Sequence, residues 1–165
     1  MCTAAGVGRI RHEGGDSVAS DAQLVQEALR ARDHAYVPYS RFSVGAALLD
    51  AQGAIWHGCN IENAAYTPTN CAERTAFFKA VSEGSTDFVA IAVVGGAAGR
   101  PATRWCAPCG VCRQVMQEFC DPETFRVILG RSPDDLRVML LKDMLPDGFG
   151  PQDLRQAFEE EGTVS

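Results

Sequence analysis

Four side chains stand out by type and spacing: Cys71, Glu73, Cys109 and Cys112. Two stretches carry them, Cys71-Ala72-Glu73-Arg74 and Pro108-Cys109-Gly110-Val111-Cys112-Arg113-Gln114. Thiolates bind zinc, and a catalytic zinc takes three protein ligands and leaves its fourth position to water. Cys71, Cys109 and Cys112 supply three. Glu73 follows Cys71 by two residues. In the first turn of a helix both side chains reach over the helix end, so Glu73 can meet that water without becoming a ligand. A carboxylate so placed can carry protons. Cys106 complicates the ligand set, because Cys106–Cys109 and Cys109–Cys112 both have ligand spacing. Pro108 favours the later pair by putting it at a helix start. The alternative, a closed structural site with Cys106 as fourth ligand, leaves Glu73 without a role.

The elements that must position these groups follow from periodicity and stop signals. Residues 71–83 have helical composition, with Asn70 as a candidate N-cap and Gly84 as a stop. A second helix is expected with Pro108 in its first position and Val111, Val115 and Phe119 at helical spacing, ending before Asp121-Pro122. Ser20 or Asp21 caps a helix over about residues 21–36, with Leu24, Ala28, Ala31 and Ala35 inward and Pro38 as its limit. Phe42 to Leu49 and Ala54 to Cys59 read as a hairpin around Asp50-Ala51-Gln52-Gly53. His57 is expected to point outward from that hairpin, and His34 to be a surface or packing residue. Residues 60–70 form an irregular loop of the kind that carries binding residues. The apolar run Phe88 to Gly95 reads as a central strand. Thr124 to Leu129 and Leu136 to Leu141 read as further strands, and Pro151 to Glu160 as a short helix. Helices alternating with strands in this order predict an α/β fold, a three-layer α/β/α sandwich with one mixed sheet. Residues 1–19, rich in Gly, Ala and Ser, read as a flexible tail in which His12 is solvated, and residues 20–165 as a single domain.

Composition narrows the partners. The chain has 165 residues and a formal charge of −6. An acidic chain lacks the electrostatic footprint of a phosphate binder, which points away from nucleic acid and toward a small substrate. No stretch approaches the roughly 20 apolar residues of a membrane span. Seven cysteines, an odd number clustered at 106, 109 and 112, do not read as a disulfide framework. With no apolar segment after Met1, a cytoplasmic, reducing setting is expected.

The chain resembles the small, homotetrameric, three-cysteine cytidine deaminases. The resemblance rests on Tyr36 to Ala47, Gly58-Cys59-Asn60-Ile61-Glu62-Asn63-Ala64, Cys71 to Thr75, Pro108 to Gln114 and Leu145-Pro146-Asp147-Gly148-Phe149-Gly150, in the family's order. The resemblance implies a five-stranded mixed sheet and hydrolysis of cytidine and 2′-deoxycytidine to the uridines, releasing ammonia for pyrimidine salvage. It implies one zinc per subunit on Cys71, Cys109 and Cys112, with Glu73 as proton carrier. By the same carry-over Phe42 packs on the base with Val44 beside it, Asn60 and Glu62 hold the ribose hydroxyls, and the backbone of Ala72 faces the base. Tyr66 reaches a neighbouring subunit's site and Phe149 covers the base. Three thiolates leave the zinc site at net −1. The two helix N-termini offset part of this, and Arg74, matching an arginine that bonds the ligand sulfurs, offsets more. Arg113 and Gln114 support the ligands from the same helix. Thr67-Pro68-Thr69 and Arg104-Trp105-Cys106-Ala107 depart from the family's pattern and bear on substrate range and subunit contacts. A deaminase of a modified cytosine nucleoside, such as a blasticidin-type antibiotic, is the alternative.

Overall fold

The computed structural model describes residues 10–11 and 19–155. Six strands form one mixed sheet in the order β1-β3-β2-β4-β5-β6: β1 (Ile10–Arg11), β2 (Phe42–Asp50), β3 (Ala54–Cys59), β4 (Phe88–Ala97), β5 (Arg126–Ser132) and β6 (Asp135–Leu140). Every adjacent pair is antiparallel except β4 and β5, which run parallel. The five expected strands are all present. The sixth, β1, is two residues that pair with Ile55 and Ala54 at the sheet's edge, so this part of the expected tail is a strand. Residues 1–9 and 12–18, with His12, lie outside the described residues, as does the end of the expected C-terminal helix, which is helical over 151–155.

Alternation along β2 sorts the core into two layers. Ala46 and Leu48 face a cluster with Trp56, Phe77, Met116 and Phe125, covered by α2 (Ala72–Ser82) and α3 (Gly110–Phe119). Ala47 and Leu49 face the opposite cluster with Leu24, Val25 and Ala28 of α1 (Asp21–Arg32). Both faces of the sheet are therefore dry, which is why β4 reads as a continuous apolar run. Two glycines set the closeness of the layers. A Cβ on Gly45 would lie 2.1 Å from the Ala28 carbonyl oxygen, and one on Gly58 would lie 2.1 Å from that of Ala72. Gly58 thus lets the start of α2 rest directly on β3.

Several boundaries and burials differ from the sequence expectation. The first helix ends at Arg32, because the following backbone is taken by the loop: Tyr36 donates to the Asn60 carbonyl at 3.0 Å, and Glu62 donates to that of Tyr36 at 2.9 Å. Cys71, not Asn70, is the N-cap of α2; the Asn70 amide turns to the Thr75 hydroxyl at 3.1 Å. Pro108 precedes the α3 cap, Cys109, instead of opening the helix. Val111 is 58% exposed. Cys112 and Met116, one turn apart, face the core, and Val111 lies about 100° around the helix from Cys112. His57 is buried, not outward, because α1 covers that face of β3. Its Nε2 lies 2.9 Å from Glu27 Oε2, while Glu27 Oε1 accepts from Arg30 at 2.6 Å. Burial pushes His57 below the usual imidazole pKa, more than Glu27 raises it.

Candidate metal centre and catalytic site

The helices α2 and α3 begin side by side, and each begins on a cysteine. Cys71 and Cys109 occupy the N-cap positions in extended conformation, with no side-chain cap bond. Cys112 sits in the first turn of α3, which aims three sulfurs at one point. Cys71 Sγ lies 3.9 Å from Cys109 Sγ, and Cys109 Sγ lies 3.5 Å from Cys112 Sγ. All three sulfurs fall within 4.8 Å of one another, and no other such group of metal-binding side chains occurs among the described residues. Zinc–sulfur bonds of about 2.3 Å at tetrahedral angles require sulfurs about 3.8 Å apart. The two separations bracket that value, so the donor set fits the ion. Cys106 is not part of the group.

The electrostatics agree with a thiolate site. The Cys71 thiol is held down to about 5, first by a hydrogen bond from Cys112 and then by Arg74 and Cys109, against the opposing effect of burial. Cys112 is pushed up by the same bond and by burial, so the proton of this pair stays on Cys112. Arg74 Nη2 lies 3.7 Å from Cys71 Sγ and donates to the Thr69 carbonyl at 3.2 Å, while its Nε is buried without a partner. The guanidinium therefore lies where the offsetting charge was expected.

Glu73 is 4% exposed. Desolvation pushes its carboxyl above the usual range, its own backbone N–H works against this, and the Cys71 charge adds to it. A carboxyl beside three sulfurs with a raised proton affinity is suited to holding a proton between two transfers.

Around this centre the other expected residues fall into two groups. Phe42, Val44 and Asn60 are tied together. The Asn60 side chain accepts from the Val44 N–H at 2.8 Å and donates to the Phe42 carbonyl at 2.9 Å. Glu62 Oε2 accepts from the Tyr39 and Ser40 N–H groups at 2.9 and 3.2 Å. Those bonds and the Ser40 hydroxyl, which has the largest effect, keep its carboxylate below the usual range. Glu62 lines a cleft of about 300 Å³ with Tyr39, Ser40, Asn63, Tyr66 and Thr69. Ala72 is fully buried at the α2 start.

Tyr66 and Phe149 instead face outward, at 76% and 59% exposure, and neither ring meets another aromatic ring among the described residues. Tyr66 also holds a positive φ of 56°. Arg113 donates to the carbonyls of Pro108 at 2.8 Å and Met144 at 2.7 Å, and Gln114 to that of Phe149 at 2.9 Å. Arg113 thus braces the turn that carries Cys109, and both residues brace the C-terminal segment.

Sequence reading missed the place of Cys106 beside Phe42. A Cβ on Gly95 would lie 2.6 Å from Cys106 Sγ and 3.1 Å from Phe42 Cε1. Burial raises the Cys106 thiol to about 11, with Glu73 and Cys71 adding to the shift. The available signal was Gly95-Gly96 closing an apolar strand, a mark of close approach.

Residues 18–128 match a family model described as the cytidine and deoxycytidylate deaminase zinc-binding region. A cytidine deaminase of Sporosarcina psychrophila is 51% identical over 138 residues, covering 84% of this chain and 97% of the relative. One of Halalkalibacterium halodurans is 53% identical over 131 residues, covering 79% and 95%. Among solved structures, the cytidine deaminase of Burkholderia pseudomallei superimposes with a TM-score of 0.72 at 47% identity, over 79% of this chain and all of that one.

Proposed function

The chain belongs to the cytidine and deoxycytidylate deaminase family, and from that premise we propose that it hydrolyses cytidine and 2′-deoxycytidine to uridine and 2′-deoxyuridine with release of ammonia. The observation that carries this is the buried Glu73 carboxyl beside three convergent sulfurs.

Cys71, Cys109 and Cys112 would hold the zinc, which when bound supplies a Lewis acid that makes water nucleophilic near neutral pH. The remaining work belongs to side chains. Glu73 takes a proton from the attacking water and gives it to N3 of the ring, then takes the remaining hydroxyl proton of the added water and delivers it to the leaving amine. Arg74 opposes the negative charge of the thiolates. Phe42 and Val44 pack on the base, Asn60 and Glu62 receive the ribose hydroxyls, and Ala72 presents its backbone. Arg113 and Gln114 hold the surroundings of the ligands.

The exposed rings of Tyr66 and Phe149 support a homotetramer in which each completes the site of another subunit. Six described cysteines are free, which supports a reducing cytoplasm. No described helix is long and apolar enough to cross a membrane. Residues 20–165 act as one catalytic unit.

The test follows ultraviolet absorbance of cytidine, 2′-deoxycytidine and a blasticidin-type nucleoside with the purified protein. Cytidine and 2′-deoxycytidine should be consumed by the native chain, and an Asn60→Ala/Glu62→Ala double variant should lose both. Consumption of the antibiotic alone would replace the proposal with the modified-nucleoside reading.

A further inference from the structure

The C-terminal segment is held to α3 by three side chains. Arg113 binds the Met144 carbonyl, Gln117 Nε2 donates to that of Gly148 at 3.2 Å, and Gln114 Nε2 donates to that of Phe149 at 2.9 Å. The segment between is tightly turned. Asp147 sits at a positive φ of 53°, and a Cβ on Gly148 would lie 2.8 Å from Leu145 Cδ2. Gln117 is the buried member of the set, at 4% exposure, and its Oε1 is buried without a partner. An orphaned buried acceptor is destabilising, and an apolar side chain of similar shape would avoid that cost. The amide is thus imperfectly satisfied as a packing residue, and what it supplies is the donor to the Gly148 carbonyl.

We propose that Gln117 is a positioning residue. With Gln114, it grips the two carbonyls that flank the Phe149 backbone and so fixes where the Phe149 ring is presented. The helix that carries Cys109 and Cys112 thus also sets the aromatic cover of the base. This inference rests on the reading of Phe149 as that cover. Gln117 touches neither substrate nor metal in this account; it acts through Phe149 alone.

A double-mutant cycle tests it on the full chain, with cytidine KM, kcat, bound zinc and thermal midpoint read for native, Gln117→Met, Phe149→Ala and the double variant. Gln117→Met should raise KM about three- to tenfold with kcat unchanged, the signature of lost uniform binding. Zinc content should not fall, and the thermal midpoint should move by no more than the loss of the one bond to the Gly148 carbonyl. In the Phe149→Ala background the same change should add nothing. An unchanged KM, or an equal rise on top of Phe149→Ala, would overturn the inference while leaving Phe149 in its role. A native KM for Phe149→Ala would instead remove the Phe149 reading and the inference with it. Should Gln117→Met not fold, Gln117→Asn, which keeps the amide but withdraws it from the Gly148 carbonyl, enters the same cycle with the same expected and contrary results.

Discussion

Helices α1, α2 and α3 begin in nearly the same backbone conformation, with N-cap ψ values of 159°, 155° and 167°. Their caps differ in what they serve. Ser20 closes α1 on itself: its hydroxyl accepts from the Gln23 N–H at 3.3 Å, and the Gln23 side chain accepts from the Ser20 N–H at 2.7 Å. Cys71 and Cys109 satisfy no helix N–H with their side chains. The same position stabilises a helix in one case and presents a sulfur to a shared cluster in the other. Two helix ends left positive by the backbone dipole are a favourable place for thiolates.

That contrast can be broken from either side. The largest effect is expected at the cysteine-capped ends. Cys109→Ala should abolish both zinc binding and deamination, whereas Glu73→Gln should keep the zinc and lower kcat by about 10²–10⁴-fold. Metal analysis beside a cytidine assay separates the two. Next in size, Arg74→Ala should weaken zinc about 10–100-fold without unfolding the chain, read by competition with a chelator. Unaltered zinc affinity would show the guanidinium to be ordinary surface charge.

Protons compete with the metal as well. The Cys71 thiol is held low and the Cys112 thiol is pushed up. Zinc added to metal-free protein should therefore release protons, that of Cys112 among them, and affinity should fall by about tenfold per unit of falling pH for each proton displaced. A pH-indicator titration measures this, and zinc uptake without acidification would contradict it. Ser20→Ala, at the other kind of cap, should cost about 1 kcal/mol in urea unfolding and leave zinc and turnover alone.

The smallest effect lies at His57. Its folded pKa is below the 6.5 of the free side chain, so between the two values the unfolded chain binds more protons. Stability is full above 6.5 and declines as pH falls toward the folded value. Thermal midpoints of native and His57→Asn proteins across that window should converge as pH falls.

The three-sulfur cluster was legible in the sequence because its geometry is local. Cys71–Glu73 and Cys109–Cys112 each lie within one helix turn, and only the meeting of the two helices had to be inferred. The layers were legible for the same reason, since β2 and β4 carry their burial in their own patterns. What escaped depends on contacts between distant residues. His57 is inward because Glu27, 30 positions away, supplies a buried partner. The first helix stops at Arg32 because the backbone beyond it pairs with residues 60–62. Gln117 looks like any polar helix residue until the C-terminal turn is laid against it.

In the proposed function, two cysteine-capped helices form one zinc site and Glu73 serves it without binding the metal. Zinc content and cytidine turnover measured on the same preparations of native and Glu73→Gln protein test it most directly. Equal zinc in both and turnover at least about 100-fold slower in Glu73→Gln are expected. Loss of zinc from Glu73→Gln, or similar turnover by both proteins, would contradict this.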